Sequence, residues 1–319
     1  MLRLFLGNQF IANLLLPLFV VFYVLLNFGT NHLEIPALID FGFWGKFHPI
    51  ERYLSSILSG SLILINAFTL NHLFNSNEFH DKNNFSIALF YVVFMSFFHS
   101  FYQLDGILVS HTFLILGMFH FLKIESNKDA RRNAFNGSLC IGFSATFHPP
   151  LLIFWFINWL LITRIRPFIW REISLSMAGF LLPILYSLVF LQFTNQLYTW
   201  KINQAYTFYS QSRIVNQIAL ILLSMVALLS LMILTSKTLK SALKFKKMTA
   251  ILKIILVLST LIGIYLFTVA NTIEGFSTSI LILSFFFPFV FFNKSSFLIG
   301  NILFYSIFVF STVKFFINS

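Results

Sequence analysis

The sequence predicts an all-α fold, a polytopic transmembrane helical bundle of about 11 spans forming a single integral membrane domain over residues 1–319. Three observations predict it. Hydrophobic residues make up 58% of the chain and charged residues only 10%, against roughly 25% charged in a soluble domain. Apolar runs of about 20 residues recur along the chain, the length needed to cross ~30 Å of hydrocarbon. The polar stretches between them are all short, leaving no room for a soluble domain.

The spans follow in order. The first 28 residues carry a lone Arg3, run too long for a signal-peptide core and lack a small-residue cleavage motif, so they read as a retained span over 10–28. A polar, aromatic loop over 29–50 holds Glu34, Asp40, Trp44, Lys46 and His48. Spans are expected over 53–74, 84–102 and 105–123, the last with Asp105 placed to cap its helix. After the hairpin considered next come spans at 173–194, from after 216 to about 235, and at 250–270, 278–292 and 296–316, with Lys253 and Lys314 inside span ends and expected to snorkel.

Residues 129–172 decide the topology. Their apolar part, 137–162, is flanked by Arg131 and Arg132 on one side and by Arg164, Arg166 and Arg171 on the other. One long span would put these clusters on opposite faces of the membrane; a hairpin puts them on the same face. His148-Pro149-Pro150 supplies the break, because each proline removes a backbone donor and pushes its predecessor out of the helical region. A hairpin over 129–163 is therefore expected, with arms at 129–147 and 149–163 and Asp129 as N-cap. With the N-terminus cytoplasmic and the C-terminus periplasmic, 16 of the 21 Lys and Arg residues fall inside; a single span would leave 9 inside and 12 outside. The positive-inside rule selects the hairpin. Its second arm spans only ~22 Å, which would place His148 in a protein-lined recess below the outer surface.

Composition also excludes some functions. A net charge of +11 would suit a nucleic-acid binder in a soluble protein, but basic residues of a membrane protein collect in cytoplasmic loops, so no nucleic-acid partner is expected. The basic runs TRIRPFIWRE and SKTLKSALKFKK suit anionic lipid headgroups instead. The single Cys140 rules out an internal disulfide and a Cys-rich metal site. Walker, Rossmann, HExxH, GxSxG and CxxC motifs are absent, and no metal site is expected.

Ionisable residues on the outer side are the candidates for chemistry. Asp40 and Glu34 lie in LEIPALIDFGFWGKFHPIER, whose aromatic and polar mix suits an interfacial re-entrant segment. A carboxylate there could act as general base on an acceptor hydroxyl, or hold a divalent cation against a phosphate. Lys201, Tyr209 and Arg213 belong to YTWKINQAYTFYSQSR, where cations could hold a lipid phosphate and aromatic rings could stack on a sugar, or where the rings form an interfacial belt. His148 sits at irregular backbone. His99, His111 and His120 suit interhelical hydrogen bonds.

Two resemblances add to this reading. The run FNGSLCIGFSATFHPPLLIFWFINWLLITRIRPFIWREISLSMAGFLLPILY resembles the signature of an uncharacterised family of Bacteroidota inner-membrane proteins, with a small-residue arm, a proline-bearing turn, then RPFIWRE and GFLLP. The wider layout is similar to polyprenyl-phosphate-dependent glycosyltransferases of the C type, in its acidic first outer loop, the following span opening HPIERYLSSILSG, and a basic-flanked hairpin. It departs from them in lacking an Asp-Glu pair in a first loop that is also short. The resemblance implies Asp40 or Glu34 as catalytic carboxylate, Arg213 and Lys201 facing the lipid phosphate, and a polyprenyl-phosphate-linked sugar as donor at the periplasmic face. Two other classes compete with this reading: a non-catalytic membrane subunit of an envelope secretion or surface-assembly complex, with protein partners, and a lipid or solute transporter.

Overall fold

The computed structural model describes all residues except 1, 8–9, 31–38, 48–49, 81, 125–128, 166–167, 195–212, 271–272 and 318–319. The described residues are helical apart from one two-strand ladder, and seven helices are long and apolar enough to cross a membrane. These are α2 (Phe10–Thr30), α3 (Arg52–Ser76), α8 (Trp170–Phe193), α9 (Arg213–Leu239), α10 (Leu243–Ala270), the stretch made of a 3-10 turn (Glu274–Phe276), α11 (Ser277–Phe286) and α12 (Pro288–Phe292), and α13 (Phe297–Ile317). A short α1 (Leu2–Phe5) precedes them. Interleaved are shorter helices: α4 (Ser86–Met95), α5 (Gly106–Leu122), α6 (Arg131–Phe147) and α7 (Phe154–Ile165).

The core is aromatic and centres on the short α4 and the interrupted stretch Glu274–Phe292, with rings from α3 and α13 packed against them. α4 is buried along its whole length, and Phe90 meets Phe287, Phe291 and Phe304 at ring-centroid distances of 4.7, 5.4 and 5.6 Å. Phe74, Phe79 and Phe285 form a second group at 4.9–5.3 Å, near the end of the bundle that also holds the Phe85 N–H to Phe5 carbonyl bond. The other six long helices stay largely exposed, as a lipid-facing shell requires: Leu14, Leu18 and Leu25 of α2 lie outward while Leu16, Val20 and Tyr23 are buried.

The chain reverses at His148. Along α6 and α8, paired residues advance together: Ala130 bonds to Glu172, the Ser138 and Ser176 hydroxyls bond at 2.5 Å, and Gly142 abuts Phe180 and Pro183. The two helices therefore run in the same direction, and α7 must return between them. The reversal is a 3-10 turn, Pro149–Ile153, with Pro149 and Pro150 at its first positions, where a missing N–H costs nothing. At the other end of the hairpin the buried Glu172 accepts the Ala130 N–H at 3.4 Å.

Three expectations are corrected. α6 starts at Arg131 with Ala130 as N-cap; Asp129 instead accepts the Arg131 N–H at 3.0 Å and pairs with its guanidinium at 3.6 Å. The span expected over 84–102 is α-helical only over Ser86–Met95, because the Ser96 carbonyl is taken by Tyr102 and Lys314, the His99 N–H by Glu274 and the Ser100 hydroxyl by Asp105. Lys314 does not snorkel: it is 3% exposed, and its ammonium donates to the Ser96 carbonyl.

Candidate functional site

Two polar features occupy the end of the bundle where the hairpin turns. The first is the docking of residues 39–47 on the hairpin tip. β1 (Ile39–Asp40) pairs antiparallel with β2 (Lys46–Phe47), Asp40 opposite Lys46, around a 3-10 turn at Gly42–Trp44. Gly42 has φ +66°, and a Cβ there would overlap the carbonyl oxygens of Thr146 and Phe147, so both its conformation and its contact demand glycine. The Trp44 indole N–H donates to the Thr146 hydroxyl at 3.0 Å, and its ring stacks on Phe147 at 5.9 Å and meets Phe190 at 5.5 Å.

His148 lies directly beyond these contacts. It is 2% exposed and closes α6, its N–H donating to the Ser144 carbonyl at 3.0 Å while its own carbonyl accepts the Leu151 N–H at 3.0 Å. Its ring lies within electrostatic reach of His111 in α5. His111 Nδ1 in turn is 3.2 Å from the Tyr91 hydroxyl of α4, the interhelical hydrogen bond that a histidine inside a bundle is expected to make.

The second feature is an ionisable cluster between α4, α5, α11 and α13. Glu274 Oε1 accepts the His99 N–H at 2.7 Å, and Oε2 lies 3.3 Å from the Ser100 hydroxyl. The same hydroxyl is 2.6 Å from Asp105 Oδ2, and Asp105 Oδ1 accepts the Leu108 N–H at 2.8 Å as the N-cap of α5. Lys314 faces this cluster from α13 with its ammonium over the rings of Phe315, Tyr102 and Phe97 at 4.8, 5.2 and 5.9 Å. Tyr102 donates to the Ser96 carbonyl at 3.0 Å, and Tyr23 and Ser311 bond at 2.7 Å alongside.

Of the residues expected to carry chemistry, Asp40 is placed by its backbone in β1 and Arg213 as the first residue of α9; nothing is described of either side chain. Glu34, Lys201 and Tyr209 lie outside the described residues. The structure brings the Asp40 loop and the His148 turn together. Among the described residues, no group of three or more His, Cys, Asp or Glu side chains could hold a metal ion. Ser100 escaped sequence reasoning, which counted Glu274 only among five outer carboxylates with Glu34, Asp40, Glu51 and Asp105, and Lys314 only as a snorkelling lysine, although an acid and a lysine set in apolar helices were the signal to follow. Comparison with known proteins adds no relative, since no family model, curated protein or solved structure matches this chain.

Proposed function

We propose that this chain is a multi-pass protein of the bacterial inner membrane, crossing it about 11 times, that works in envelope biogenesis as a glycosyltransferase of C-type layout. In this reading it moves a sugar from a polyprenyl-phosphate donor to an acceptor at the periplasmic face. Asp40 or Glu34 takes the proton of the acceptor hydroxyl as the new glycosidic bond forms and the lipid phosphate leaves. Lys201 and Arg213 hold that phosphate, Tyr209 stacks on the sugar, and His148 lines the acceptor side.

One observation carries the reading: the part of the first loop that follows Asp40 is docked on the hairpin tip through Gly42 and Trp44. A topology loop has no need of that docking, whereas a catalytic segment needs its carboxylate held against a fixed wall. The test is transfer by the purified protein in lipid vesicles carrying polyprenyl-phosphate-linked sugars. Turnover that Asp40→Asn and Glu34→Gln together abolish supports the reading. A double variant that fully restores a deletion strain removes it.

The Glu274–Ser100–Asp105 cluster favours a second reading, a transporter driven by protons, because buried titratable groups at helix breaks are what ion coupling requires. Uptake or efflux that follows an imposed pH gradient in the same vesicles would select it.

A further inference from the structure

Glu274, Ser100, Asp105 and Lys314 pose a problem of hydrogen and charge counting. Two carboxylates and one ammonium are drawn together inside an apolar bundle, yet the ammonium lies within 4 Å of neither carboxylate and donates to the Ser96 carbonyl instead. Full ionisation would leave the cluster with a net negative charge that no direct ion pair offsets. The serine sharpens the problem. Its hydroxyl has one hydrogen, and it sits 2.6 Å from Asp105 Oδ2 and 3.3 Å from Glu274 Oε2. If that hydrogen goes to the nearer oxygen, Glu274 Oε2 faces a serine lone pair, a contact that is favourable only when Oε2 itself carries a hydrogen. Oε1 is committed to the His99 N–H and Asp105 Oδ1 to the Leu108 N–H, so both are acceptors.

A second, independent observation lies beside the cluster. Ser277 Oγ and Thr278 Oγ1, in the first turn of α11 just after Glu274, are fully buried and have no hydrogen-bond partner among the described residues. The same holds for His111 Nε2 in α5, a helix against which α11 packs. Buried polar atoms left over in this way are the usual mark of ordered water.

We propose that Glu274, Ser100 and Asp105 form a proton-binding site that holds one exchangeable proton between two carboxylates, beside the unpartnered buried hydroxyls of Ser277 and Thr278. Transfer is a concerted shift: the proton on Glu274 Oε2 passes to Ser100 Oγ as the serine proton passes to Asp105 Oδ2. Glu274 becomes the carboxylate, Asp105 the acid, and the serine is regenerated. The charged and titratable groups facing the site are Lys314 from α13, His99 and Tyr102 from the α4–α5 link, and Tyr91 from α4. This assignment holds whether the chain transfers sugars or transports solutes, since it rests only on the cluster.

Infrared difference spectroscopy on the full-length protein in detergent tests it, because a protonated carboxyl has a carbonyl band distinct from that of a carboxylate. The expected result is one such band at neutral pH that shifts in deuterated water and is lost in Glu274→Gln. Ser100→Ala should keep the band but slow its deuterium shift severalfold. No protonated-carboxyl band at neutral pH, or a band that survives in Glu274→Gln, overturns the site. A Ser100→Ala shift as fast as in the wild type overturns the relay. Gln keeps the acceptor for His99 and supplies a donor to Ser100, so Glu274→Gln is expected to fold, and elution as a single species in detergent confirms that it has.

Discussion

The Trp44 indole N–H reaches the Thr146 hydroxyl at 3.0 Å across 102 positions of sequence, and this bond ties the first loop to the hairpin tip. Trp44→Phe keeps most of the stacking on Phe147 while deleting the donor, so it should cost about 1 kcal/mol. Trp44→Ala loses both and should cost about 3–4 kcal/mol. Thermal unfolding in detergent compares the two; equal losses would show that the hydrogen bond contributes nothing.

Gly42 is the other half of that attachment. Gly42→Ala strains a φ of +66° and pushes a methyl group into the Thr146 and Phe147 carbonyls, so the loop should lift from the tip. Phe43, 5% exposed, then becomes reachable. A cysteine at Phe43 should react with a maleimide quickly in the Gly42→Ala background and slowly without it, and equal rates would sink the idea.

The hairpin makes a prediction about sidedness. In intact cells an impermeant maleimide should label Glu51→Cys, and should label Arg171→Cys only after the membrane is opened, because the two lie at opposite ends of the bundle. The reverse pattern would invert the proposed orientation.

At Glu274 the choice of substitution matters. Glu274→Ala leaves the buried His99 N–H without its acceptor and should cost about 1–3 kcal/mol, whereas Glu274→Gln should cost well under 1 kcal/mol. A Gln variant as unstable as Ala would mean that the wild-type side chain is ionised.

What was legible in the sequence and what was not divides along one line. Local signals worked: the two prolines after His148 placed the chain reversal, Asp105 caps α5, and apolar run length marked out the seven long helices. Signals that depend on where a side chain turns did not. Lys314, three residues before the end of its helix, could have reached the surface; it turns inward because the Ser96 carbonyl, 218 positions away, and the rings of Phe97 and Tyr102 wait for it. Glu274 and Asp105 were both expected on the outer side, but nothing local says that one serine joins them. The loops holding Glu34, Lys201 and Tyr209 lie outside the described residues, so the sugar-transfer reading rests on the Asp40 loop alone.

The 12-residue α7 has a consequence for the lipid around it. At about 18 Å it is far shorter than the ~30 Å of hydrocarbon that α8 beside it can match. Its exposed Phe156, Trp159 and Leu160 form an apolar face too short for that thickness, a mismatch a bilayer relieves by thinning or tilting. Where the bilayer thins to meet this face, phosphate headgroups are drawn down beside it, giving any lipid that comes from the plane of the membrane a preferred direction of approach.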